Sequence, residues 1–400
     1  MLAVLAALTL VVLIAVQGCS GQSDDASNNA ADNDTAKENQ NTEKESSKSS
    51  GIKKQDKPEK KKKPKAPEKP YAALAPPQDA KPLDERFEGE GGDVLALENQ
   101  MSAAAEPTTE STSGETTGEE TTPESEKRSV PLGEMLMAGK EDPSDGPLKE
   151  NRLVAYYGHP YVAEMGILGE YDPDELMNKL KEQTAVYSRL DPDRPAIPTI
   201  ELIASVAQPE PGPDRLFVTQ TPKEEILKYI ELAKKNDALV LLDVQLGRAT
   251  VMQEVEILAE YLKEPNVHLA IDTEYSIDEG EIPGQDLGEV DGPEIQEAVQ
   301  YLDELVEREN IPDKILMIHQ FESGIVTNKD TIKPTPNVQV VLHADGFGGS
   351  GDKAVKYAFL ARDEPIQYGG FKVFYKQDTP VLTPEEVLQL DPAPAIVTYQ

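Results

Sequence analysis

The amino-acid sequence predicts an α/β domain of the (β/α)8, TIM-barrel-like class, occupying residues 130–400 of a 400-residue chain. Three observations predict it. From about Arg152 onward, short apolar runs alternate with amphipathic stretches. Eight such runs can be counted, the number of strands in a closed parallel barrel. The central ones are continuously apolar, as strands covered on both faces must be. An open doubly wound sheet is the alternative arrangement. No Gly-x-Gly-x-x-Gly follows any run, so the dinucleotide-binding form of that alternative has no support.

Taken in order, the chain begins with an apolar stretch, Leu2 to Val16, too short to span a bilayer comfortably and placed where a signal-peptide core belongs. It runs into Val16-Gln17-Gly18-Cys19. A small residue directly before a cysteine resembles the lipobox of bacterial lipoproteins. That resemblance implies cleavage after residue 18, acylation of Cys19 with palmitate-type chains, and an extracytoplasmic protein held to the cell membrane by lipid. Several acyl chains anchor far better than one. No Lys or Arg precedes the apolar stretch, which places the expected translation start upstream of Met1. Cys19 is the single cysteine, so neither an intrachain disulfide nor a cysteine metal site is available.

Residues 19–129 are rich in Ser, Thr, Asn, Glu, Lys and Pro and show no sustained apolar period. They are expected to form a disordered tether, since they cannot offset the entropy of ordering. A flexible chain of that length has a root-mean-square reach of about 60 Å. Within it the Lys/Pro block Lys53 to Lys69 is expected to be a solvated spacer, with contact to anionic lipid or wall polymer as the alternative.

The expected strands are Leu153–Tyr157, Thr199–Ala207, Leu239–Val244, Val267–Thr273, Lys314–His319, Val338–His343, Phe371–Tyr375 and Ala395–Tyr399. Three helix starts combine an N-cap, a proline in the first helical position and an acid at N3: Asp172-Pro173-Asp174-Glu175, Thr221-Pro222-Lys223-Glu224 and Thr383-Pro384-Glu385-Glu386. Pro293 to Arg308 carries Ile295, Val299, Leu302 and Val306 at helical spacing. Whether Val130 to Glu150 packs on the barrel as a short helix is left open by its pattern.

A parallel barrel works at the C-terminal ends of its strands, and here those ends are unusually polar. The third strand ends in Asp243 and Gln245, the fourth in Asp272 and Glu274, the fifth in His319 and Gln320, and the sixth in His343 and Asp345. The first ends in Tyr156, Tyr157, Gly158 and His159, and Glu201 lies within the second. Residues two apart share a face of a strand. Several acids and two histidines should therefore meet in one bowl, where like charges raise one another's pKa and turn one acid into a proton donor.

The segment Ala270-Ile271-Asp272-Thr273-Glu274-Tyr275 resembles the strand-end Asp-x-Glu of TIM-barrel glycoside hydrolases of the lysozyme-like and chitinase-like kinds. The resemblance implies Glu274 as general acid, Asp272 as its helper and Asp243 as a second carboxylate. Substrate would then be held by His343, Asp345, His319, Gln245, Tyr157, His159 and Tyr275. The longer chitinase-type Asp-x-x-Asp-x-Asp-x-Glu is absent, and there is no tryptophan. Stacking would fall to Tyr156, Tyr157, Tyr161, Tyr275 or Phe347.

No cofactor and no metal are expected. His159, His319 and His343 follow strands as in metal-dependent amidohydrolase barrels, yet that family's His-x-His after the first strand is replaced by Gly158-His159-Pro160. The run Gly346-Phe347-Gly348-Gly349-Ser350-Gly351 lacks the Lys-Ser/Thr of a phosphate loop and is expected to be flexible. A formal net charge of -35 disfavours nucleic acid as a partner. The expected function is a membrane-anchored lipoprotein whose barrel hydrolyses or binds cell-wall or extracellular glycans. A non-catalytic surface-binding lipoprotein is the second reading, and a metal-dependent hydrolase the third.

Overall fold

The computed structural model describes residues 68–83 and 128–400. Eight parallel strands close a barrel: β1 (Arg152–Gly158), β2 (Ala196–Ala207), β3 (Leu239–Gly247), β4 (Val267–Ser276), β5 (Lys314–Gln320), β6 (Val338–Ala344), β7 (Tyr368–Val373) and β8 (Ile396–Tyr399). Each pairs with its successor, and β8 returns to β1 with Leu153 opposite Ile396. The (β/α)8 expectation holds, and the seventh strand starts three residues earlier than its apolar core implied.

Helices α1 (Pro173–Leu190), α2 (Lys223–Lys235), α3 (Val251–Leu262), α4 (Gly292–Glu309), α5 (Ser350–Tyr357) and α6 (Pro384–Leu388) lie between strands. The link from β5 to β6 has no α-helix, only the two-residue strand Val326–Thr327 and a 3-10 turn, Lys329–Thr331. Asp172 caps α1 by accepting the amides of Asp174 and Glu175, and Thr383 closes a reciprocal capping box with Glu386. The third expected cap is corrected. Thr221 donates its hydroxyl to the Ile203 carbonyl at 2.7 Å, so α2 begins behind Pro222 without a side-chain cap. A buried carbonyl at the end of β2 competes for the hydroxyl and wins.

Alternation along each strand divides the core in two. Inward residues Leu153, Ile197, Leu241, Ala270, Met317 and Val341 fill the barrel, while Val154, Leu202, Leu242, Ile271, Ile318 and Leu342 meet the helices. Val130 to Glu150 is irregular, with turns at 132–133 and 138–139 and the 3-10 turn Pro147–Lys149, and it drives Met135 and Leu148 into the barrel floor.

The tether expectation is corrected at two places. Residues 68–83 run across the floor: Tyr71 and Ala73 pack on the inner cluster, the Ala72 amide donates to the Asp237 carbonyl at 3.0 Å, and the Leu74 amide donates to the Ala196 carbonyl at 2.8 Å. Arg128 donates to the carbonyls of Gln389 and Leu390, and Ser129 bonds Asp391. A segment without a period of its own can still be ordered when a groove built by other elements supplies its partners. Cys19, the lipobox, the start of the chain and nearly all of the Lys/Pro block lie outside the described residues. No helix among the described residues is long and apolar enough to cross a membrane.

Candidate active site

The inward face turns polar toward the C-terminal ends of the strands. There β1 supplies Tyr157, β2 Glu201, β3 Asp243 and Gln245, β4 Asp272 and Glu274, β5 His319, β6 His343 with Asp345 just beyond it, β7 Lys372 and β8 Thr398. Period-two alternation puts them on one surface, and the closed barrel brings opposite strands within side-chain reach.

His319 is the hub. Its Nε2 lies 2.8 Å from Glu201 Oε1 and its Nδ1 3.0 Å from Asp345 Oδ2. Lys372 Nζ donates to the same Asp345 oxygen at 2.9 Å and stands 3.7 Å above the centre of the Tyr157 ring. The Thr398 hydroxyl donates to Glu201 Oε2 at 2.9 Å and lies 3.1 Å from His343 Nε2. With that one hydroxyl proton committed to Glu201, His343 must carry its own proton on Nε2, and its Nδ1 is left as a buried acceptor without a partner. The His343 ring occupies the space a side chain would take at Gly370, where a Cβ would stand 2.5 Å from His343 Cδ2.

The titration order follows from these contacts. Burial alone would lower the pKa of His319, but Glu201 and Asp345 hold it well above 6.5, so the ring is an imidazolium. Burial would raise Asp345, yet Lys372 and His319 keep it well below the usual carboxylate range. Lys372 is raised despite burial, chiefly by Asp345 and Glu201. Asp243 behaves oppositely: burial drives it up to about 7 against the pull of His319. Neither of its oxygens has a hydrogen-bond partner, and His319 Nε2 at 3.9 Å is too distant to be one. Asp272 is pushed well above its normal value by burial and by Glu274, with Gln245 Nε2 donating to it at 3.4 Å. Glu274 is raised by burial and by the charge of Asp345. It is also partly exposed, whereas Glu201, Asp243 and His343 are fully buried.

Among the described residues, two trios hold ligand atoms within 4.8 Å of one another, His319–His343–Asp345 and Glu201–Asp243–His319. Both need a lone pair from His319, and both of its nitrogens are already directed at carboxylates. A metal takes neutral imidazole, so an ion here would have to displace the protons that Glu201 and Asp345 hold on this ring. Two cations, His319 and Lys372, face Asp345 and Glu201, while the carboxyls of Asp243 and Asp272 are pushed toward their protonated forms. The donor set is suited to moving protons.

Known protein families provide no match to the chain, and no curated protein matches it in sequence. The function has to be read from the site itself.

Of the residues expected there, Glu274, Asp272, Asp243, Gln245, His319, His343, Asp345 and Tyr157 come together, and Tyr275 joins them through a hydrogen bond to Glu274. His159 does not. Its Nδ1 accepts the Tyr161 amide at 3.3 Å and its ring packs edge-on against Tyr161 at 5.5 Å, so it belongs to the loop after β1. Lys372 and Thr398 were missed, and Glu201 was noted without a role. Each is a polar residue at an inward position of an apolar strand, a signal that becomes readable once the register is known. The glycine-rich run is braced: the Gly346 amide donates to Asp345 Oδ1 and the Gly348 amide to Asp378 Oδ1. Those amides are therefore committed to carboxylates of the protein.

Proposed function

We propose that this barrel is a glycan-acting hydrolase working by acid and base catalysis, with Glu274 as the proton donor, carried by an extracytoplasmic lipoprotein anchored through Cys19. The observation that carries the reading is the contrast among the acids. Among the acids of the bowl, Glu274 alone combines a raised pKa with partial exposure, and it feels the charge of Asp345, whose carboxyl is held well below the usual range. A neutral carboxylic acid at the open end of a buried ionic network can protonate a leaving oxygen. In the reaction, Glu274 gives its proton to the glycosidic oxygen as the C1–O bond breaks. Water then adds to C1, its proton passing to a carboxylate of the bowl. Asp272 lies on the same face of β4, and its own carboxyl is pushed up by burial and by Glu274.

The anchor reading draws support from where the described chain enters. Residues 68–74 cross the floor, at the N-terminal ends of β2 and β3, on the face opposite the bowl. A non-catalytic binding barrel is the second reading. It is favoured by the complete burial of Asp243 and His343, which no substrate reaches in this packing.

The test is release of reducing ends from peptidoglycan and soluble polysaccharides by the purified protein. Activity that disappears in Glu274→Gln while the far-UV spectrum and melting temperature stay unchanged supports the proposal. Undiminished activity in that variant removes it.

A further inference from the structure

Beside the bowl, between α1 and the ends of β1, β7 and β8, lies a cleft of about 340 Å³ whose lining includes Tyr156, Tyr171, Gln183, Tyr375 and Gln400. That volume falls within the range of small-ligand sites. One ring in it is held unusually firmly. Tyr375 stacks on Tyr399 with centroids 5.0 Å apart and planes 24° from parallel, and its hydroxyl donates to Gln183 Oε1 at 3.1 Å. Gln183 Nε2 in turn donates to the Tyr399 hydroxyl, which shares a hydrogen bond of 2.6 Å with Tyr187. Tyr375 nevertheless stays 41% exposed. One face rests on Tyr399, and the other is open to the cleft.

The surrounding charges cancel. Lys179 and Lys376 are matched by Glu170 and Glu182, and Lys179 already lies over the Tyr171 ring at 4.7 Å. An ionic ligand therefore gains little here, and a cation finds the Tyr171 face taken. A rigid aromatic face edged by an amide and carboxylates fits a ring with an apolar face and hydroxyl edges. Its immobilised rotamer removes an ordering cost that binding would otherwise carry.

We propose that Tyr375 is the stacking platform of a subsite for an uncharged pyranose unit, in a chain with no tryptophan to serve that purpose. The subsite lies beside the bowl, on the outer, α1-facing side of the strand ends. Gln400 follows Thr398 by two positions, just past the end of β8, and the Tyr375 amide donates to the Gln400 carbonyl at 2.9 Å. Tyr375 lies three positions after Lys372, in the turn that follows β7. The inference rests on the glycan-acting reading for its ligand class, while its test does not depend on turnover.

Chitotetraose and cellotetraose are titrated at millimolar concentration into the full-length Glu274→Gln protein, followed by calorimetry and by tyrosine fluorescence. Saturable binding of one of them is expected, weakened about tenfold by Tyr375→Ala and changed less than about threefold by Tyr375→Phe, which keeps the ring. Melting temperatures of both variants establish that the fold persists. That pattern upholds the subsite even if the wild type releases no reducing ends, a result that would sink the hydrolase reading alone. Binding of neither oligosaccharide, or binding indifferent to Tyr375→Ala, overturns the subsite.

Discussion

Replacing Asp243 by Asn isolates one buried acid without changing its shape. Asp243 is fully buried, and neither carboxylate oxygen has a partner. Its pKa rises from an ordinary 3.8 to about 7, with burial as the largest cause. The folded state therefore keeps this proton up to about pH 7, whereas the unfolded chain releases it near 3.8. Between those values the folded state binds more protons, so stability falls as pH rises. At about 1.4 kcal/mol per pH unit the full span costs about 4 kcal/mol, nearly all of it developed by pH 8. Asn cannot ionise and escapes the cost. Relative to wild type, Asp243→Asn should gain roughly 2.5 kcal/mol between pH 5 and pH 8, about a 1 M shift in urea midpoint for a slope of roughly 2.5 kcal/mol/M. The nearby acceptor for the new amide is Glu201, which places a carboxylate oxygen within 4.8 Å of the Asp243 carboxylate. Urea titrations of both proteins at pH 5, 6.5 and 8 supply the comparison. Parallel pH profiles would show that Asp243 is ionised throughout, and the protonation scheme of the bowl would have to be redrawn.

The imidazolium of His319 should persist well above pH 6.5, because Glu201 and Asp345 flank both ring nitrogens; its contribution to stability is complete below the unfolded pKa and is lost as pH rises through the folded one. Nitrogen-15 shifts of the ring check this, and a neutral tautomer at pH 7 would contradict it. Arg152→Met should destabilise by about 3–5 kcal/mol, since it strands Asp191, which is paired to Arg152 at 2.8 Å with both side chains buried. Adding Asp191→Asn should recover part of that loss, and a strictly additive double variant would argue against the pairing. Gly370→Ala should cost about 1–3 kcal/mol by driving a methyl group into the His343 ring, with the largest spectral changes at His343 and Thr398; an unchanged melting temperature would mean that the ring moves freely.

The barrel was legible because burial on both faces leaves a continuous apolar run and helices announce themselves by caps. Asp172 and Thr383 fulfilled that logic, whereas Thr221 did not, because a carbonyl brought near by folding took its hydroxyl. The acids of β3 and β4 were found by their place at strand ends. Lys372 escaped because a lysine between Phe371 and Val373 looks like a solvent-facing residue until β7 is closed between β6 and β8. Residues 68–83 escaped because their order comes from a groove on the barrel floor. Tyr375 was assigned to the end of a strand, and only the stack on Tyr399 shows that it is a fixed ring with one face open.

Local chemistry, written in periodicity and caps, was enough to give the alternation of strands and helices and the polar strand tips. Which tip ionises, and which stays protonated, was decided by closure of the sheet. A pKa depends on distance to charges that lie far away in the chain: His319 meets Glu201 across 118 positions, and Thr398 meets the same carboxylate across 197. No local pattern encodes such a distance, so the same residues acquire their chemistry only when the eighth strand pairs with the first.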